Sequence, residues 1–139
     1  MRFIKQGDFY VIKLLKGERI VEQLVRFCKD NNIAAAAFTG IGAIHELEAG
    51  FYDAETKSYE WKKAQAQLEL LNITGNISLN DREPFVHAHV TVADNELHAF
   101  GGHLKEATVS ATCEIILKPI PVQMVRKHDS DTGLLLLDI

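Results

Sequence analysis

Three histidines carry the strongest chemical signal in this sequence. His87 and His89 stand two residues apart in the run Phe85-Val-His-Ala-His-Val-Thr-Val92, and His103 follows the pair Gly101-Gly102. The run reads as a strand, in which alternate side chains share a face. His87 and His89 then lie on one side with Thr91, while Val86, Ala88, Val90 and Val92 supply a core on the other. Same-face neighbours on a strand are about 6–7 Å apart at their Cα atoms, and a cation fits between two imidazoles at that spacing. A third imidazole at His103 leaves one coordination position open, the mark of a zinc site that takes water or a ligand. Pairs of this spacing also occur simply as polar residues on a solvated face. Cys28 and Cys113 form no C-x-x-C, so the residues offer no cysteine zinc site.

Strands and one helix must position these groups. Residues 9–15, Phe-Tyr-Val-Ile-Lys-Leu-Leu, predict a first strand. The segment at about 18–31 predicts the one main helix, with Ile20, Val21, Leu24, Val25, Phe27 and Cys28 in one broad apolar stripe. Residues 33–39 read as a strand. Thr39-Gly-Ile-Gly-Ala-Ile44 looks like part of a phosphate loop, but His45 stands where a third glycine is needed and a strand pattern follows. The glycines are better explained by a bend or a close backbone approach. Residues 45–52 and 58–63 predict a hairpin. Residues 68–79 predict a bent strand kinked at Gly75-Asn76, with Thr74 and Asn76 shaping the turn. Beyond the histidine strand, Gly101-Gly102 is expected to bend the chain, and 108–119 forms a further strand. The tail Gly133-Leu-Leu-Leu-Leu-Asp-Ile139 predicts a last strand or a segment buried against another subunit. The sum is an α+β fold, a largely antiparallel sheet of about seven to eight strands. One helix covers only part of such a sheet, which points to a homo-oligomer.

The bulk composition narrows the functions. A chain of 139 residues, 47% hydrophobic and 24% charged, is expected to form one soluble domain. No apolar run is long enough for a membrane span, and the start lacks a signal-peptide core. Cys28 and Cys113 are expected to be buried free thiols in a reducing, cytoplasmic setting. The net charge of −4 disfavours duplex DNA binding by this chain alone, since the densest basic runs are Lys62-Lys63 and Arg126-Lys127-His128.

Five blocks in order resemble the PPC domain, the module shared by plants and prokaryotes. They are Thr39-Gly-Ile-Gly-Ala-Ile44, Leu68-Glu-Leu-Leu-Asn-Ile-Thr-Gly-Asn-Ile-Ser78, His87-Ala-His-Val-Thr-Val-Ala-Asp94, Gly101-Gly-His-Leu104 and Cys113-Glu-Ile-Ile-Leu117. The resemblance implies a single domain over 1–139, with a core at about 5–125 and an apolar extension at 126–139. It also implies a homotrimer. Plant members follow AT-hook segments and act in transcription and chromatin, but no Arg-Gly-Arg-Pro core exists here. The plant partner-binding segment is similar to Ala66–Leu71 only at its Glu and apolar positions. Prokaryotic members carry the same H-x-H and G-G-H histidines, which implies a metal at His87, His89 and His103. Imidazoles without cysteine suit zinc first, with nickel, copper or iron as alternatives.

The functional expectation is a DNA-associated regulatory or architectural protein with a three-histidine metal site. The alternative is a metal-dependent enzyme or small-ligand-binding module using the same histidines without direct DNA binding. An enzyme would need a base, for which Glu114 and Asp94 are the nearest carboxylates in sequence. His45 and His98 are expected at the surface or in caps. Tyr59, Trp61 and Cys113 are expected in core or interface packing.

Overall fold

Period-two alternation builds most of the molecule. The computed structural model describes residues 1–139. Strand β1 (Arg2–Gln6) pairs with β2 (Phe9–Leu15), which buries Tyr10, Ile12 and Leu14 and turns Phe9, Val11 and Leu15 outward. Helix α1 (Ile20–Asp30) follows, then β3 (Ala36–Asp53), β4 (Ser58–Ala64), β5 (Leu68–Asn80), β6 (Glu83–Ala93) and β7 (Ala99–Pro119). These strands form one antiparallel sheet in the order β1-β2-β7-β6-β5-β3-β4. Strand β7 also pairs with β3, so β7, β6, β5 and β3 close into a circuit. The fold is α+β, as the alternation and the single apolar stripe predict, with β1 as a strand the pattern did not reveal.

Two stretches that read as interrupted are continuous. The glycines of Thr39-Gly-Ile-Gly lie inside β3 rather than at a bend between two strands. A Cβ at Gly40 would come within 2.6 Å of the Glu114 carbonyl oxygen, and one at Gly42 within 2.3 Å of that of Thr112. Close approach of β3 to β7 is therefore the reason for both glycines, with a bulge between them absorbing the register shift. Likewise Gly101-Gly102 lies within the 21-residue β7. Strand β5 has its irregularity between Leu70 and Asn72, and Thr74 and Asn76 are strand residues, not turn residues.

The helix lies against β6 and β7, burying Ile20, Leu24, Phe27 and Cys28. The Phe27 ring meets Phe3 and Tyr10 edge-on, with centroids 5.0 and 5.1 Å away. Arg19 at the N-cap offers no capping side chain. The cap comes instead from β7, where Glu106 accepts from the backbone N–H of Val21 at 2.8 Å and of Glu22 at 3.2 Å. A carboxylate there also complements the positive end of the helix dipole.

The C-terminal residues form a separate two-stranded hairpin, β8 (Arg126–His128) with β9 (Leu135–Leu137). It is tied to β5 by the Leu79 N–H donating to the Met124 carbonyl at 2.8 Å. On the other side Tyr52 donates to the Thr132 carbonyl, and Lys57 to that of Ser130 at 3.1 Å. The apolar tail thus becomes a wall between β5 and the β3–β4 hairpin. No helix is long and apolar enough to cross a membrane.

Candidate metal centre

Sheet register brings the three histidines together. His89 on β6 pairs directly with His103 on β7. His87 stands two residues before His89 on the same face. The ring centroids are 5.1 to 5.5 Å apart, and one nitrogen from each ring lies within 4.8 Å of the others. His87 and His103 are half-buried and His89 is exposed, so the trio faces outward from the core at the mouth of a recess.

Glycines make this pairing possible. A Cβ at Gly101 would meet the Val90 carbonyl oxygen at 2.0 Å, and one at Gly75 would meet the His87 carbonyl oxygen at 2.2 Å. A side chain at either position would push β7 or β5 away from the histidine strand. Gly50 has a similar role beyond His103, because the Trp61 ring lies where its Cβ would be, at 2.7 Å. One cross-strand row therefore runs Trp61, Gly50, His103, His89 and Thr74.

Two of the imidazoles, His87 and His103, are held neutral by their surroundings. Burial pushes His103 down to about 4, helped by His87, His89 and Arg126 nearby. Burial lowers His87 as well, followed by the charges of Arg126 and His89. Neutral rings are the ligating species, so the cost of taking protons off is already met by the fold. Three nitrogen donors converging with no cysteine or carboxylate among them fit a borderline divalent ion such as zinc, with a position left open.

Arg126, noticed in the sequence only as part of a short basic run, proves to be the hub beside the trio. It is 7% exposed. Its Nε donates to Ser78 Oγ at 2.8 Å and NH1 to the Leu135 carbonyl at 2.7 Å. NH2 donates to Asn76 Oδ1 at 3.0 Å and faces His87 Nδ1 at 3.2 Å. Guanidinium only donates, so His87 Nδ1 accepts and the proton of its neutral ring sits on Nε2. The guanidinium also covers the Phe85 ring at 5.0 Å. No periodicity marks such a residue; the only clue was a cation near an apolar tail.

Tyr59 and Trp61, expected in core or interface packing, lie outside the core and wall the site. Tyr59 stacks on Trp61 with centroids 4.6 Å apart and lies 4.9 Å from His103. Together with Phe85, Arg126 and the β8–β9 hairpin they enclose a recess of about 340 Å³ beside His87 and His103. The carboxylates considered as bases are elsewhere. Asp94 closes the β6–β7 turn, its Oδ1 accepting from the backbone N–H of Glu96 and His98 at 2.9 Å each. Glu114 is exposed on β7 opposite Lys13 and Ile41. His98 is at the surface beside Asp94 and Glu96, and His45 lies on β3, outside the trio. Cys113 is in the core.

Known proteins share this architecture. The profile of the Plants and Prokaryotes Conserved (PCC) domain, the family resembled by the five sequence blocks, matches residues 1–121. A candidate DNA-binding protein from Bacteroides thetaiotaomicron superposes with a TM-score of 0.95 at 33% identity, over 99% of this chain and 96% of that one. A metal-containing protein from Archaeoglobus fulgidus superposes with a TM-score of 0.90, also at 33% identity, over 100% and 99% of the two chains. The bifunctional protein GlmU of a Synechococcus strain is 28% identical over 133 residues, 94% of this chain. The chain spans only 20% of the length of that curated relative.

Proposed function

The chain belongs to the Plants and Prokaryotes Conserved domain family, and on that premise we propose that it is a DNA-associated regulatory protein, homotrimeric, that holds a divalent metal. Zinc is the first choice, bound by His87, His89 and His103. The observation that carries the metal is the convergence of three imidazole nitrogens within 4.8 Å, on strands locked together at glycines. The metal-containing relative from Archaeoglobus supports it. Residues 1–139 act as one domain, in which 126–139 closes the site. The buried free thiols of Cys28 and Cys113 support a cytoplasmic location.

One surface feature supports the assembly. On the outer face of the sheet Val11, Leu15, Ile41, Leu71 and Ile116 are exposed, an apolar surface suited to further copies of the chain. Arg2, Lys5, Lys13 and Lys16, on and just after the β1–β2 hairpin, make no ion pair with an acidic side chain. Lys5 lies on the opposite face of the hairpin from Arg2 and Lys13, and Lys13 stands across from Glu114, so these cations form no single patch and the DNA role is supported by the family and by a relative described as DNA-binding.

The recess beside His103 favours a second reading, a metal-dependent binding module or enzyme that takes a small ligand with no direct DNA contact. Metal analysis of wild type against His87→Ala and His103→Ala, with oligomer mass from the same samples, tests the centre and the trimer. The variants should lose stoichiometric metal, and a monomeric wild type would overturn the trimer. A low-salt fluorescence titration with labelled duplex separates the two readings. Absence of affinity there removes direct DNA binding.

A further inference from the structure

Arg126 is a buried cation without a carboxylate. None of the ion pairs in the molecule includes it. Its partners are all neutral: a hydroxyl, an amide, a backbone carbonyl and an imidazole. Buried charges are ordinarily paired, and one that is not calls for an anion from elsewhere. Four of its five N–H groups have acceptors, and the remaining one is on NH1.

A metal on the trio increases this demand. A neutral imidazole has a single lone pair. When the metal takes the His87 lone pair, through either nitrogen, the other nitrogen carries the proton, and Arg126 loses His87 as an acceptor. A second N–H is then free. The centre would combine a divalent cation and a guanidinium, with no carboxylate among the ligands.

The recess next to these groups is small, about 340 Å³, near the lower end of ordinary ligand sites. Its walls away from Arg126 and the histidines are Tyr59, Trp61, Phe85 and Leu134–136. We propose that this recess binds a small monocarboxylic acid with an apolar body, its carboxylate shared between Arg126 and the open position of the metal. The apolar body lies against Trp61 and the leucines of the C-terminal hairpin. The two N–H groups left on one arginine suit a carboxylate. A phosphate has more oxygens than this site has donors and no use for the greasy wall.

The ligand rests on the metal reading above, and the test separates the two. Trp61 is the sole tryptophan and lines the recess, so its fluorescence reports occupancy. Zinc-loaded wild type is titrated with 3-phenylpropionate, with 3-phenylpropionamide and with inorganic phosphate, and bound zinc is measured on the same samples. The acid should give a saturable change in Trp61 emission, with the amide at least about tenfold weaker. Arg126→Gln should weaken the acid by about tenfold or more and leave the amide unchanged. Equal binding of acid and amide, tighter binding of phosphate, or no saturable change with the acid would overturn the proposal. If Arg126→Gln does not fold, Arg126→Lys keeps the charge and removes the fork, and the acid–amide comparison on wild type decides without any variant. Protein that takes up no zinc overturns the metal centre. The acid–amide ratio on that metal-free protein then judges the Arg126 arm by itself.

Discussion

Replacing Gly101 by alanine should disable the metal centre without touching a ligand. The new Cβ would lie 2.0 Å from the Val90 carbonyl oxygen, 3.0 Å from its carbon and 3.2 Å from Thr91 Cα. All three are backbone atoms, so no rotamer change relieves the clash. Ordinary contact begins at 3.4 Å, so β6 and β7 would have to part by about 1.4 Å at that point in a close-packed structure. That separation breaks the ladder that sets His89 opposite His103. Overpacking costs about 1–3 kcal/mol, and a backbone clash belongs at the upper end. A loss of ~3 kcal/mol corresponds to roughly a 10 °C fall in Tm for a chain of this size. Metal affinity should fall by about 10–100-fold, as when support behind a ligand is removed. Urea unfolding at fixed protein concentration measures the first effect, and competition with a chromogenic chelator the second. Gly7→Ala is the control: it has φ +57° but open space around its Cβ. It should cost about 1 kcal/mol of strain and leave metal binding intact. Gly101→Ala protein with wild-type stability and wild-type affinity would refute the argument that close strand approach builds the site.

Other outcomes follow from particular groups. Glu106→Ala removes the cap that β7 lends to α1 and should cost about 1 kcal/mol in urea unfolding, with metal content unchanged. In metal-stripped protein, stability should be flat at neutral pH and fall as pH drops from about 6.5 towards 4. The folded state keeps His103 neutral down to about 4, whereas the unfolded chain takes up the proton near 6.5. Thermal melts across that range in His103→Gln should show a shallower slope. Burial pushes the thiols of Cys28 and Cys113 up to about 12. A thiol reagent at pH 8 should therefore label neither in native protein and both after denaturation.

The sequence revealed most where a local pattern had one physical cause. Alternation of Val86, Ala88, Val90 and Val92 with His87 and His89 located the histidine strand and its face. The stripe from Ile20 to Cys28 located the helix. Glycine was harder to interpret. Gly40 and Gly42 read equally as a bend or a close approach and Gly101 as a bend, yet each marks a place where another backbone comes too close for a side chain. That neighbour lies far away in sequence, so local reading cannot distinguish a bend from a contact. Arg126 was hidden for the same reason. Its acceptors Ser78, Asn76 and Leu135 come from β5 and β9, and nothing near position 126 announces them. Tyr59 and Trp61 were readable as one face of a strand, but only the pairing through Gly50 shows that this face looks at His103.

The long strand β7 also sets when the site can exist. It pairs with β2, β3 and β6, elements that precede it along the chain, and its last paired residue is Pro119. Such nonlocal pairing makes for slow closure. During synthesis His87 and His89 leave the ribosome before His103, and Arg126 emerges last. The histidine strand must wait, with one edge unpaired, until β7 arrives. Metal captured before then would meet at most two of the three imidazoles. The finished centre forms only after β7 and the hairpin that follows it have been made, and the unfinished sheet is the stage at which this chain is most exposed to mispairing with its neighbours.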